Sequence, residues 1–170
     1  WLEALTHGST GAARDYQRLE FLGDRVLGMV IGEWLYALDA GDEGKLSQRL
    51  NALVSRTTCA KVARAIELPS HIRLGKQARD DGGMESDNIL GDVVEALIGA
   101  LYLDRGLAVT AQVIHTLFDP SIDEAAGLGA GLRARGGRPP VSGGRLDVSA
   151  AACRRDRTAD RSAPELREVG

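Results

Sequence analysis

Apolar positions recur along this chain at helical rather than strand spacing. Leu19, Leu22, Val26, Met29 and Val30 share one stripe at roughly 3.6 residues per turn, which predicts a helix over residues 15–38. Residues 39–44, Asp-Ala-Gly-Asp-Glu-Gly, read as a turn, after which Leu46, Leu50, Leu53 and Val54 resume the pattern. Residues 55–58 can cap a following helix that carries Val62, Ala63 and Ile66 and ends before Pro69, because the residue before a proline disfavours helical geometry. Residues 69–86 read as a polar loop, and Ser86, Asp87 and Asn88 favour a helix start before Ile89. That helix is expected to reach about Leu103 and close at Asp104-Arg105-Gly106. A last helix over residues 109–118 sets Val113, Ile114 and Leu117 on one side and is expected to stop at Pro120. Trp1, Leu2, Ala4 and Leu5 read as the last turns of a helix closed by Gly8-Ser9-Thr10-Gly11. No alternating run long enough for a strand precedes position 120, so the expected fold class is all-α.

Composition divides the chain. Residues 1–124 hold 12 Lys/Arg against 19 Asp/Glu and all seven aromatic residues; residues 125–170 hold 9 against 5 and have 8 of the 21 glycines. The expectation is one helical domain over 1–124 and a Gly/Ala/Arg-rich tail over 125–170, with too little apolar mass to offset the entropy of ordering it. Cys59 and Cys153 fall one in each part, which is not the framework of a stapled secreted domain, so reduced thiols are expected. Without a signal-peptide pattern or an apolar run of 18 residues, the reading is a soluble, cytoplasmic protein with no membrane partner. Position 1 is Trp and the pattern opens partway through a helix, which suggests that an N-terminal portion of the natural protein is missing.

The chemistry lies in carboxylates on otherwise apolar helices. Glu20 and Asp24, four apart, stand one above the other on one face, where like charges repel by about 0.2–0.5 kcal/mol even in water. Asp92 and Glu95 form a second pair on the helix after Ile89. Carboxylates are seldom buried unless paired or bound to a metal, so two such pairs suggest a four-carboxylate pocket. Gly23, Gly28 and Gly32 each cost the first helix up to about 1 kcal/mol relative to alanine, and close approach of another helix or of a substrate backbone would account for them. His7, His71 and His115 are scattered, no Cys/His cluster has zinc spacing and no Walker-type loop occurs. His7 reads as a helix-end or packing residue, and Asp80-Asp81 as exposed loop charges.

The segment from Gln17 to Asp24, Gln-Arg-Leu-Glu-Phe-Leu-Gly-Asp, resembles the signature motif of the ribonuclease III family. Asp92-Val93-Val94-Glu95-Ala96-Leu97-Ile98-Gly99 is similar to that family's second acidic motif, and Leu5-Thr6-His7-Gly8-Ser9 to its lead-in; the resemblance covers about residues 2–118. It implies a helical endonuclease domain that acts as a homodimer on double-stranded RNA in rRNA and mRNA processing, leaving 5′-phosphate and 3′-hydroxyl ends with short 3′ overhangs. It also implies Mg2+, with Mn2+ as a substitute, held by Glu20, Asp24, Asp92 and Glu95, of which Asp24 and Glu95 would be catalytic. Hydrolysis of a phosphodiester gathers charge on the entering and leaving oxygens, which two divalent cations about 4 Å apart can stabilise. Hard cations of this kind prefer oxygen ligands. Glu43 resembles an accessory acidic residue, Gln17 stands where the family often has glutamate, and Phe21 would reach across the dimer interface.

Two features depart from the family, Gln17 at the start of the first motif and the tail. Residues 125–170 lack the α-β-β-β-α pattern of a double-stranded-RNA-binding domain and look like a GC-rich message read in a shifted frame. The acidic balance of residues 1–124 also argues against strong unaided affinity for RNA. Two alternatives stay open, an all-α magnesium-dependent nucleotide pyrophosphohydrolase and a non-catalytic dimeric RNA-binding relative. The absence of any Glu-x-x-His pair weighs against a ferritin-like oxidase.

Overall fold

A computed structural model describes residues 1–38 and 40–127, with side chains as far as residue 122. Its helices are α1 (Gln17–Leu38), α2 (Glu43–Leu53), α3 (Arg56–Ala65), α4 (Lys76–Asp80) and α5 (Asp87–Gly127), and the described residues contain no strand beyond one isolated bridge. The all-α class is thus observed. The tail expected over 125–170, with its shifted frame, lies outside the described residues from 128 onward.

Local chemistry sets most of the helix starts. Asp15 Oδ1 accepts the Gln17 N–H at 3.1 Å to open α1. Asp42 Oδ1 accepts from Lys45 N–H to open α2, and Ser55 Oγ accepts from Thr58 N–H to open α3. Each such cap is worth about 1 kcal/mol. The face that α1 buries is turned slightly from the expected stripe: Val26, Leu27, Val30, Ile31 and Leu35 are buried, whereas Met29 is half exposed. Residues 26–31 are apolar at every position but Gly28, so periodicity there could not choose a face.

α1 and α5 form the central pair, α3 also packs on α5, and α2 touches all three. The N-terminal segment is not the end of an α-helix. It makes two 3-10 turns, Glu3–Leu5 and Gly8–Thr10, separated by a parallel bridge in which His7 N–H donates to Arg73 O and Arg73 N–H to Leu5 O. Pairing with residue 73 takes the backbone groups that a helix would have used internally. Residues 69–86 are likewise more than a polar loop, since Leu68–His71, α4 and Gly83–Glu85 make short helical turns and Leu68, Ile72 and Leu74 are buried.

The break expected at Gly106 is present, with φ 75° and ψ 177°, a conformation that is essentially glycine-only. It divides α5 into arms over residues 87–105 and 107–127, and Thr110 Oγ1 donates to the Gly106 carbonyl at 2.8 Å. The expected stop at Pro120 does not occur. Thr110, Ile114, Phe118 and Ile122 form a buried row at four-residue spacing, and burial on both sides of the proline offsets the roughly 3 kcal/mol that its missing N–H and ring cost a helix. Residues 87–122 are long and apolar enough to cross a bilayer. Here, however, Leu90, Val93, Val94, Ile114 and Phe118 belong to the common core with α1 and α3.

Candidate functional site: an acidic cleft between two helices

Two glycines decide where the carboxylates go. A Cβ at Gly23 would lie 1.7 Å from the Glu95 carbonyl oxygen, and one at Gly99 would lie 2.3 Å from the Leu19 carbonyl oxygen. α1 and α5 therefore meet main chain to main chain at these two positions. Glu20 and Asp24 flank the contact on α1, while Asp92 and Glu95 approach it on α5, so all four line one cleft of about 370 Å³. Gly28 and Gly32 face open space instead, so close approach explains only the first of the three interior glycines.

Glu20, Asp92 and Glu95 are partly buried, and each offers an oxygen within 4.8 Å of the other two. Asp24 lies in the same cleft but outside this trio, with Oδ2 ion-paired to the adjacent Arg25 Nη1. The cost of crowding is visible in the acids' proton affinities. Burial, followed by repulsion from Asp24, Asp92 and Glu20, pushes the Glu95 carboxyl up to about 7. Burial and Asp92 raise that of Glu20, and burial raises that of Asp92. Arg56, which lines the cleft from the first position of α3, opposes all three shifts, and Asn88 Oδ1 accepts from its Nη1 at 3.1 Å. Tyr16 donates its hydroxyl to Asp92 Oδ2 at 3.3 Å.

Of the other residues singled out in the sequence, Phe21 stands at the cleft with 67% of its surface exposed and the Arg25 guanidinium 5.3 Å from its ring centre. Glu43 opens α2 and accepts from Ser47 Oγ at 2.8 Å, and Gln17 opens α1; both are exposed and neither lines the cleft. The sequence reading missed Arg56 and Tyr16. A lone basic residue after a capping serine looks like surface, and the contact of Tyr16 with Asp92 spans 76 positions.

Three oxygen donors, held together at an electrostatic cost and joined by no Cys or His among the described residues, fit a hard divalent cation, which takes few carboxylates and keeps much of its water. An all-α domain with such a cleft between two helices offers the oxygen-donor set that metal-assisted hydrolysis requires. Comparison with known proteins places it more closely. The Ribonuclease-III-like family model matches residues 1–121, and the chain belongs to that family.

A Ribonuclease 3 of Zymomonas mobilis subsp. mobilis is 57% identical over 123 residues, covering 72% of this chain and 50% of that protein. One of Streptomyces coelicolor is 44% identical over 136 residues, covering 77% and 49%. The chain thus spans about half the length of these curated relatives. Among solved structures, a nuclease domain of Ribonuclease III from Campylobacter jejuni, described for structural flexibility in the region involved in dimer formation, matches with a TM-score of 0.68. It is 38% identical, with 70% of this chain and 84% of that one covered.

Proposed function

We propose that the chain carries the nuclease part of an endoribonuclease that hydrolyses double-stranded RNA, with Glu20, Asp24, Asp92 and Glu95 as the residues that hold Mg2+ or Mn2+. The observation that carries the reading is the convergence of Glu20, Asp92 and Glu95 oxygens from two helices within 4.8 Å of one another, beside Asp24. Bound there, divalent cations would supply positive charge to the scissile phosphate and acidify the attacking water. Glu20 and Asp92 would act as oxygen donors from opposite walls. Glu95, whose carboxyl changes protonation state near neutral pH in the metal-free protein, would complete the donor set as the proton leaves. Asp24 would enter the set by releasing Arg25, whose guanidinium would then be free to meet RNA phosphate. Arg56 would limit the net negative charge that a polyanionic substrate meets at the cleft.

A homodimer is part of the proposal. Phe21, Met29 and Tyr36 are exposed along one side of α1, with Gly28 and Gly32 leaving open space on the helix, which is a surface suited to a second copy. The buried, unpaired Cys59 thiol fits a reducing cytoplasm. In the proposal, Glu43 and Gln17 tune the site from outside the cleft.

The test is a labelled RNA hairpin incubated with the protein, with and without Mg2+, and resolved on a gel. Cleavage only with the metal, leaving 5′-phosphates, and its loss in Glu95→Gln or Asp24→Asn are expected. Intact RNA together with pyrophosphate release from a nucleoside triphosphate would replace this reading with the pyrophosphohydrolase.

A further inference from the structure

The lead-in Leu5-Thr6-His7-Gly8-Ser9 lies outside the cleft, yet it is tied to one wall of it. Tyr16 is the link. The residue is buried, its backbone N–H donates to the Thr6 carbonyl at 3.0 Å, and its hydroxyl reaches Asp92 Oδ2 at 3.3 Å. On its other side the ring packs against the His7 imidazole, with centroids 5.5 Å apart at 60°. His7 is in turn fixed, because its Nδ1 accepts the Ser9 N–H at 3.0 Å and lies 2.7 Å from Ser9 Oγ, which accepts from Gly75 N–H at 2.9 Å. Gly75 meets Ser9 main chain to main chain, since a Cβ there would lie 2.2 Å from the Ser9 carbonyl oxygen. A hydrogen-bonded, closely packed path therefore runs from Gly75 through Ser9, His7 and Tyr16 to Asp92.

We infer that Tyr16 is a positioning residue: its hydroxyl, braced by the Thr6–Ser9 segment, holds the Asp92 carboxylate in the orientation that a divalent cation in the cleft requires. This rests on the proposal that the cleft binds a cation. A carboxylate has a free rotation about its last bond, and a partly buried donor on one oxygen restricts that freedom before the cation arrives, leaving the other oxygen available as a ligand. Partners of this kind typically contribute 10–100-fold in metal affinity. Tyrosine suits the position because its rigid ring is buried and packs on His7, so the hydroxyl arrives with few rotatable bonds to freeze.

The experiment is a calorimetric titration of Mn2+ into the whole chain, comparing the unaltered protein with Tyr16→Phe, His7→Ala, the double variant and Glu95→Gln. Tyr16→Phe keeps the ring and removes only the donor, and about a 10-fold weaker Mn2+ affinity is expected in a protein still folded by circular dichroism. His7→Ala should cause a smaller loss, with none added in the double variant, because both substitutions act through one hydroxyl. Unchanged or tighter Mn2+ binding by folded Tyr16→Phe overturns the inference, even if its melting temperature falls, since that is the mark of a purely structural residue. Should Tyr16→Phe fail to fold, wild-type affinity in His7→Ala overturns it equally. Absence of any Mn2+ binding that Glu95→Gln removes would fell the cation site itself, and the inference with it.

Discussion

Glu95→Gln should stabilise the metal-free protein at alkaline pH and do almost nothing in acid. Glu95 lies in the α1–α5 contact, where burial, then Asp24, Asp92 and Glu20, raise its carboxyl from 4.5 to about 7. Because the folded-state value is the higher one, the folded protein keeps a proton that the unfolded chain has released. The stability this confers is complete below about pH 4.5 and disappears as the pH rises through about 7. Each pH unit of such difference is worth about 1.4 kcal/mol, which sets an upper limit near 3 kcal/mol. The side chain keeps some contact with water, so screening reduces the expected gain of the neutral isostere to about 2 kcal/mol at pH 8. For a domain of this size that is a rise of roughly 8 °C in Tm. Thermal unfolding with a chelator present, at equal protein concentration and at pH 4.5 and 8, measures both limits. Adding Mg2+ should then reverse the order, since a cation that binds only the folded form stabilises the unaltered protein more. A variant no more stable than its parent at pH 8, or equally stabilised at both pH values, would refute the reasoning.

Gly23→Ala, whose methyl would lie 1.7 Å from the Glu95 carbonyl, should destabilise the fold by about 3 kcal/mol or more in urea unfolding. Gly28→Ala, facing open space, should be neutral or gain up to about 1 kcal/mol; equal losses at both positions would contradict the helix contact. Phe21→Ala should leave the stability of the single chain within about 0.5 kcal/mol, because the ring is mostly exposed, but shift sedimentation from dimer to monomer. An unshifted dimer would remove Phe21 from the interface.

What could be read from the sequence follows from the range of the physics involved. The start of α3 at Ser55 and the break at Gly106 were legible because a capping oxygen and a glycine act within a few residues. So was the pairing of acids on each helix, which is a matter of spacing alone. The continuation through Pro120 was not, because it depends on Phe118 and Ile122 finding a core that no local pattern announces. The N-terminal turns were misread as helix for the same reason: their backbone partner is Arg73, far along the chain. Within the cleft, the ion pair of Asp24 with Arg25, the entry of Arg56 and the hydroxyl of Tyr16 are all side-chain choices that only the packed molecule makes. Phe21 stood off the apolar stripe in the sequence and is exposed in the fold, which is the same fact seen twice.

The bare backbone contact at Gly23 and Gly99 makes the gap between the two acidic walls a mechanical stop. Nothing softer than the polypeptide itself sets the distance. A methyl at either position would wedge the walls apart and draw the carboxylates of Glu20 and Asp24 away from those of Asp92 and Glu95. These two glycines thus fix how closely the two acidic walls can approach, and the cleft takes its width from the main chain rather than from any side chain that lines it.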